Sequence, residues 1–150
     1  MILRNPYDAP IELDEILRIE REAYPEQMQE MQWAESWEDI ADYAEVSLSR
    51  LIVLSDGKTW YALIAKHRLG RAEFVDLAKI PGSPMIDWVF LLTKLRQLGI
   101  KRIFGDMRDN TSFRRFKQQL KLFNSLGVKM IKDEPYERDG EIFHDFVVKI

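Results

Sequence analysis

Apolar positions along the chain change their spacing from one stretch to the next, and each spacing predicts a different element. Leu13, Ile16, Leu17, Glu20 and Tyr24 recur at i, i+3, i+4, i+7 and i+11. That is one face of a 3.6-residue period, so a helix is expected, opened by Asp8 or Pro10 and closed by Pro25. Ahead of it, Met1-Ile2-Leu3-Arg4 reads as a short strand. It stops at Asn5-Pro6, because proline restricts the residue before it and has no N–H for a ladder. After a polar bend over Glu26–Gln32, Ser36 stands before Trp37-Glu38-Asp39, an N-cap followed by acids in the first turn. A second helix is expected from there to about Val46, with Trp37, Ile40 and Tyr43 on its apolar side.

The period then shortens. Leu51–Leu54, Trp60–Ala65 and Ala72–Ile80 read as strands, separated by the turns Asp56-Gly57 and Leu69-Gly70. Such short connections predict an antiparallel meander. Pro81-Gly82-Ser83-Pro84 breaks the third of these strands. Asp87 caps a helix from about Trp88 to Leu98, stopped by Gly99. Arg102–Gly105 is a strand reached through that helix, and a crossover of this kind places it parallel to a neighbour. A long helix follows from about Ser112 to Leu126, with Phe113, Phe116, Leu120, Phe123 and Leu126 as its buried stripe. Val128–Lys132 and Ile142–Ile150 close the chain as two strands around the turn Arg138-Asp139-Gly140.

Composition narrows the class. A chain of 150 residues, 46% apolar and 31% charged, suits one globular domain spanning residues 1–150. With no cysteine there are no disulfides or thiolate metal sites, and two separate histidines, His67 and His144, argue against a metal centre. No apolar run approaches the ~20 residues of a membrane helix, and the N-terminus lacks an apolar signal core, so a cytoplasmic protein is expected. Charge is divided along the chain. Residues 1–50 hold 13 Asp/Glu against 4 Lys/Arg, and residues 51–150 hold 12 against 18. An acidic segment could attract a cationic amine and a basic one a phosphorylated ligand, or both could be solvated helix faces.

The element order is β-α-α-β-β-β-α-β-α-β-β, an α/β (mixed α+β) pattern with a sheet of six or seven strands and four helices. This order, with Ile19–Glu26, Glu73–Pro81 and Leu122–Val128, resembles the GCN5-related N-acetyltransferase (GNAT) superfamily over the whole chain. Within that resemblance, Ile19–Glu26 matches the end of the family's first helix. Glu73–Pro81 matches its fourth strand running into the cofactor loop, and Leu122–Val128 its closing aromatic-x-x-Leu-Gly motif. Asn110-Thr111-Ser112 with Phe116, and Tyr136–Gly140, also resemble small acetyltransferase-like proteins of tailed bacteriophages.

The resemblance implies acetyl-CoA as co-substrate and an amine, on a small molecule or a protein, as acceptor. It implies that the pantetheine arm pairs with the strand edge at Leu77, Ala78 and Lys79. The pyrophosphate would then sit on the loop containing Gly82 and Ser83 at a helix start, where backbone amides and the helix dipole favour an anion. Asn110 would hydrogen-bond the pantetheine, or else cap the following helix. Glu73 would serve as general base, or else be an exposed strand carboxylate. Because strand side chains alternate, Asp76 is expected on the face opposite Glu73.

Two departures stand out. The loop Pro81–Asp87 has one glycine, two prolines and an acid where the family has a glycine-rich anion cradle. Phe123 stands where many members have a tyrosine that protonates the departing thiolate. The alternative is therefore a GNAT fold kept as a binding or structural module, possible in a phage protein, with a macromolecular partner. Arg114, Arg115, Lys117 and Lys121 make a basic helix face, but no exposed aromatics interleave with it to stack bases, so nucleic acid is not expected. Trp33, Trp37 and Tyr43 fall in the segment that shapes the family's acceptor pocket. A terminal strand Phe146–Ile150 is expected at a sheet edge, where it could pair in a dimer.

Overall fold

A computed structural model describes residues 11–25 and 31–150. The expected first strand, Met1–Arg4, the helix-opening residues Asp8 and Pro10, and most of the polar bend lie outside the described residues. The helices are α1 (Leu13–Ala23), α2 (Trp37–Tyr43), α3 (Trp88–Gln97) and α4 (Thr111–Leu122). The strands are β1 (Leu51–Ser55), β2 (Trp60–Lys66), β3 (Arg71–Lys79), β4 (Arg102–Arg108), β5 (Lys129–Arg138) and β6 (Glu141–Lys149). They form one sheet in the order β1-β2-β3-β4-β6-β5. Among the described strands, only β3 and β4 run parallel, as the crossover through α3 requires.

Two apolar layers hold the first half of the sheet. On one face, Ile16 and Ile19 of α1 and Ile40 of α2 pack on Leu51, Val53, Leu63 and Ala65. On the other, Leu91 and Leu95 of α3 pack on Ile52, Ala62, Ile64 and Ala72. Ser36 starts α2 with a reciprocal cap: its side chain accepts the Asp39 N–H, and Asp39 accepts the Ser36 N–H at 3.0 Å. Under the second half, Phe113 and Phe116 of α4 meet Phe146 and Val148 of β6. Among the described residues, the opposite face of that half is covered by its own side chains. Arg138 and Arg108 lie over the Phe143 ring at 4.3 and 5.7 Å, and Tyr136 stacks on it.

Three expectations are corrected. The α-helix at the end of the chain stops at Leu122 and continues as a 3-10 turn, Asn124–Leu126. The tighter winding turns Leu126 out of the stripe, and it is 48% exposed. Phe146–Ile150 is not an edge: β6 pairs with β4 on one side and β5 on the other, so β5 is the outer strand. Glu73 and Asp76 share a face. The register of β3 against β2 slips between Leu63 and Ile64, so that Asp76 pairs with Leu63 and Phe74 with Ile64, leaving Val75 as an inserted residue. One bulged residue reverses the alternation beyond it.

Candidate active site

The site follows from where two strands stop pairing. β3 and β4 are in register at Arg71/Arg102, Ala72/Ile103 and Glu73/Phe104, and no further. Beyond that point β3 continues with β2 to Lys79, and β4 continues with β6 to Arg108. A gap therefore opens between Phe74–Lys79 and Gly105–Arg108. Glu73 stands at its apex. Its carboxylate lies 3.3 Å from His67 Nε2 and is 40% exposed.

The ladder with β2 decides which backbone groups face the gap. The Ile80 N–H donates to Thr59 O at 2.9 Å. With the register Trp60/Lys79, Tyr61/Ala78 and Ala62/Leu77, hydrogen-bonded pairs alternate with unbonded ones. Ala78 thus turns its N–H and C=O to β2, while Leu77 and Lys79 turn theirs into the gap. Leu77 already has internal partners. Its N–H donates to Asp76 Oδ1 at 2.8 Å, and its carbonyl accepts the Tyr24 hydroxyl at 2.5 Å.

The loop after β3 is held by its own atoms. The Ser83 N–H and hydroxyl both donate to Ile80 O, at 3.2 and 2.5 Å. Gly82 has φ +80, a value that favours glycine, with open space where a Cβ would be. At the start of α3, Asp87 accepts the Phe90 N–H at 2.9 Å. A carboxylate thus occupies the helix end where an anion would bind. Asn110 does the same for α4, accepting the Phe113 N–H at 3.0 Å. Phe123 ends α4 and packs partly buried against the Phe113–Phe146 core.

Two groupings escaped the sequence. Tyr61, wholly buried, donates to Glu20 Oε2 and lies 2.7 Å from Asp76 Oδ2. Burial first, then the Asp76 and Glu20 charges, push this phenol well above the usual tyrosine range. The available signal was a glutamate on the apolar face of α1. On the side of β4, β6 and β5 away from α4, Asp106, Glu134, Pro135, Tyr136 and Asp145 line a cavity of about 380 Å³. The Tyr136 hydroxyl donates to Asp106 at 2.5 Å. Burial and that carboxylate raise its pKa to about 12. Lys132 reaches Asp145 at 2.8 Å on the same face. These residues come from strands whose register only the fold reveals. Trp33, expected near an acceptor, is 52% exposed and meets Tyr43 edge-on at 5.9 Å. Among the described residues no group of His, Asp and Glu could hold a metal ion, and no helix is long and apolar enough to cross a membrane.

No protein-family model matches the chain, and no curated protein matches its sequence. Solved structures do match its fold. The ribosomal-protein-S18-alanine N-acetyltransferase of Escherichia coli superposes with a TM-score of 0.58 at 16% identity, over 92% of this chain and 87% of that one. A protein of the GNAT family from Desulfovibrio desulfuricans gives 0.61 at 13% identity, over 93% and 94%. A Bacillus subtilis acetyltransferase in complex with CoA gives 0.51 at 16% identity, over 93% of each chain. The architecture is therefore a mixed α/β sheet flanked, among the described residues, by four helices, of the acyl-CoA N-acyltransferase type. Within that type, the chain has the GNAT fold.

Proposed function

We propose that the chain is an acyl-CoA-dependent N-acetyltransferase acting on an amine acceptor. The observation that carries this is the gap between β3 and β4, into which Leu77 and Lys79 aim backbone groups. An extended amide-bearing arm, such as that of CoA, can pair there as a strand would. Lys79 offers its backbone directly, whereas pairing at Leu77 displaces Tyr24 or Asp76. Gly82 and Ser83 would meet the pyrophosphate, and Asn110 the arm's far side. The phosphate end fits less well, because Asp87 holds the α3 terminus that the anion would use. CoA, when bound, supplies the acyl thioester. The chain's own part is to orient that arm and to take a proton from the amine, for which Glu73 beside His67 is placed at the apex. The acidic cavity at Asp106, Glu134 and Asp145 suits an acceptor that arrives as a cation.

Calorimetric titration with acetyl-CoA tests this. We expect micromolar binding, about −8 kcal/mol, and a Glu73→Gln variant that binds equally well yet acetylates amines at least tenfold more slowly. No heat and no thermal shift at millimolar ligand would end the proposal. Asp87 as cap, with the internal bonds at Leu77, favours a second reading: a GNAT-fold binding module, phage-encoded or otherwise. A macromolecule that copurifies in stoichiometric amount from a protein without acetyl-CoA affinity would support it.

A further inference from the structure

His144 of β6 has a carboxylate at each ring nitrogen. Nδ1 lies 2.6 Å from Asp133 Oδ1 of β5, and Nε2 lies 3.2 Å from Asp109 Oδ1, in the bend between β4 and α4. A carboxylate only accepts, so both nitrogens must donate. A neutral imidazole has one N–H and leaves a lone pair opposite the other carboxylate. Turning the ring over is no remedy, because it puts carbon where each nitrogen stands. The ring also stacks on Phe113 of α4, with centroids 4.1 Å apart and planes 18° off parallel. Lys117 of α4 holds Asp133 Oδ2 at 2.8 Å. With His144 protonated, two cations meet two anions, and the set of four is neutral. β4 sets Met107 opposite His144 and β5 sets Pro135 there, and neither carries charge.

We infer that His144 is a proton-dependent clasp: charged, it ties the β4–α4 bend to β5, and neutral, it releases the Asp109 side chain. The neutral ring keeps the Asp133 bond, which is shorter and better buried: Asp133 is 23% exposed and Asp109 43%. Its one proton therefore stays on Nδ1, and Nε2 faces Asp109 bare. The Asp109 carboxylate then turns to solvent. The Asp109 N–H still donates to Ile142 O at 2.8 Å, so the bend loosens without leaving the sheet. The next residue is Asn110, which caps α4 through the Phe113 N–H and would meet the CoA arm. Rising pH thus slackens one wall of the cleft. That last link rests on the proposed acyl transfer. The clasp itself does not.

Nitrogen-15 NMR of the ligand-free protein, titrated between about pH 5 and about pH 9 to span the histidine range, tests the clasp. At the acid end both His144 nitrogens should carry hydrogen. At the basic end Nδ1 should keep its hydrogen and Nε2 should lose it. The Asp109 and Asn110 amides should shift with the same midpoint, and Asp109→Asn should move that midpoint to lower pH. A neutral ring protonated on Nε2 overturns the clasp. So do amides in the bend that ignore the ring, or a midpoint that Asp109→Asn leaves in place. For the cleft, calorimetry should show acetyl-CoA affinity falling over this range about fivefold further in the wild type than in Asp109→Asn. Equal falls would overturn the link to the cleft. If acetyl-CoA binds at neither end, the transferase reading fails by itself, and the ring titration still decides the clasp.

Discussion

At the scale of single residues, the structure depends on atoms that are missing as much as on those present. Gly105 pairs with Phe146, and a Cβ on it would lie 2.9 Å from that ring and 3.5 Å from Phe74 O. The ring cannot retreat, because Phe113 and Phe116 hold it from α4. Gly105→Ala should therefore overpack the core and cost about 1–3 kcal/mol. Urea unfolding checks the size. A Gly105→Ala/Phe146→Leu double variant checks the cause, since it should recover part of the loss, and additive effects would remove the ring from the account.

At the scale of elements, α4 is fastened to the β5–β6 hairpin by a polar cluster. Asp133 accepts from Lys117 at 2.8 Å and from His144 Nδ1 at 2.6 Å, and the His144 ring stacks on Phe113. The Lys117 ammonium first, and His144 after it, hold the Asp133 carboxyl below its ordinary range against the opposing effect of burial. Folding thus lowers this pKa. Its contribution is complete above the unfolded value of about 4 and is lost as pH falls through the lower folded value. Denaturation curves between about pH 6 and about pH 2 should show the wild type losing more stability than Asp133→Asn over that acid limb. Equal losses would mean that the cluster does not stabilise the fold. Most elements were legible because their signals are local: the period of α1, the Ser36 cap and the Asp56-Gly57 turn need no distant partner. The end of α4 and the sheet edge were not legible. A switch to 3-10 winding and the insertion of β6 between β4 and β5 depend on packing that no short window contains.

For the whole molecule, the gap and the charge division matter together. The acidic first third supplies α1 and α2, and the basic remainder supplies the other face with α3 and α4. A phosphorylated ligand approaching the gap from the basic side should bind more weakly as salt rises, since screening shortens the reach of exposed charge to about 10 Å at 0.1 M. Amide hydrogen exchange gives a sharper check. Leu77, bonded to Asp76, should exchange slowly throughout, while Lys79 should be fast alone and slow with acetyl-CoA. A Lys79 amide indifferent to ligand would place binding elsewhere. The free strand edge at Leu77–Lys79 was expected from the resemblance to a family. The groups around it were legible only in part, because Tyr24 meets Leu77 across 53 residues and Tyr61 meets Asp76 across 15.

The inserted residue at Val75 gives β3 two phases. Residues up to Phe74 keep one inside–outside rhythm, and those from Asp76 onward keep the inverse. Removing Val75 would therefore take out the insertion itself, making Phe74 and Asp76 neighbours that keep their partners on β2 and their sides of the sheet. A second inserted residue between Asp76 and the loop would do the opposite, exchanging the two sides of everything after it. The strand can thus lose a residue at Val75 at a far smaller cost to its pattern than it can gain one further along.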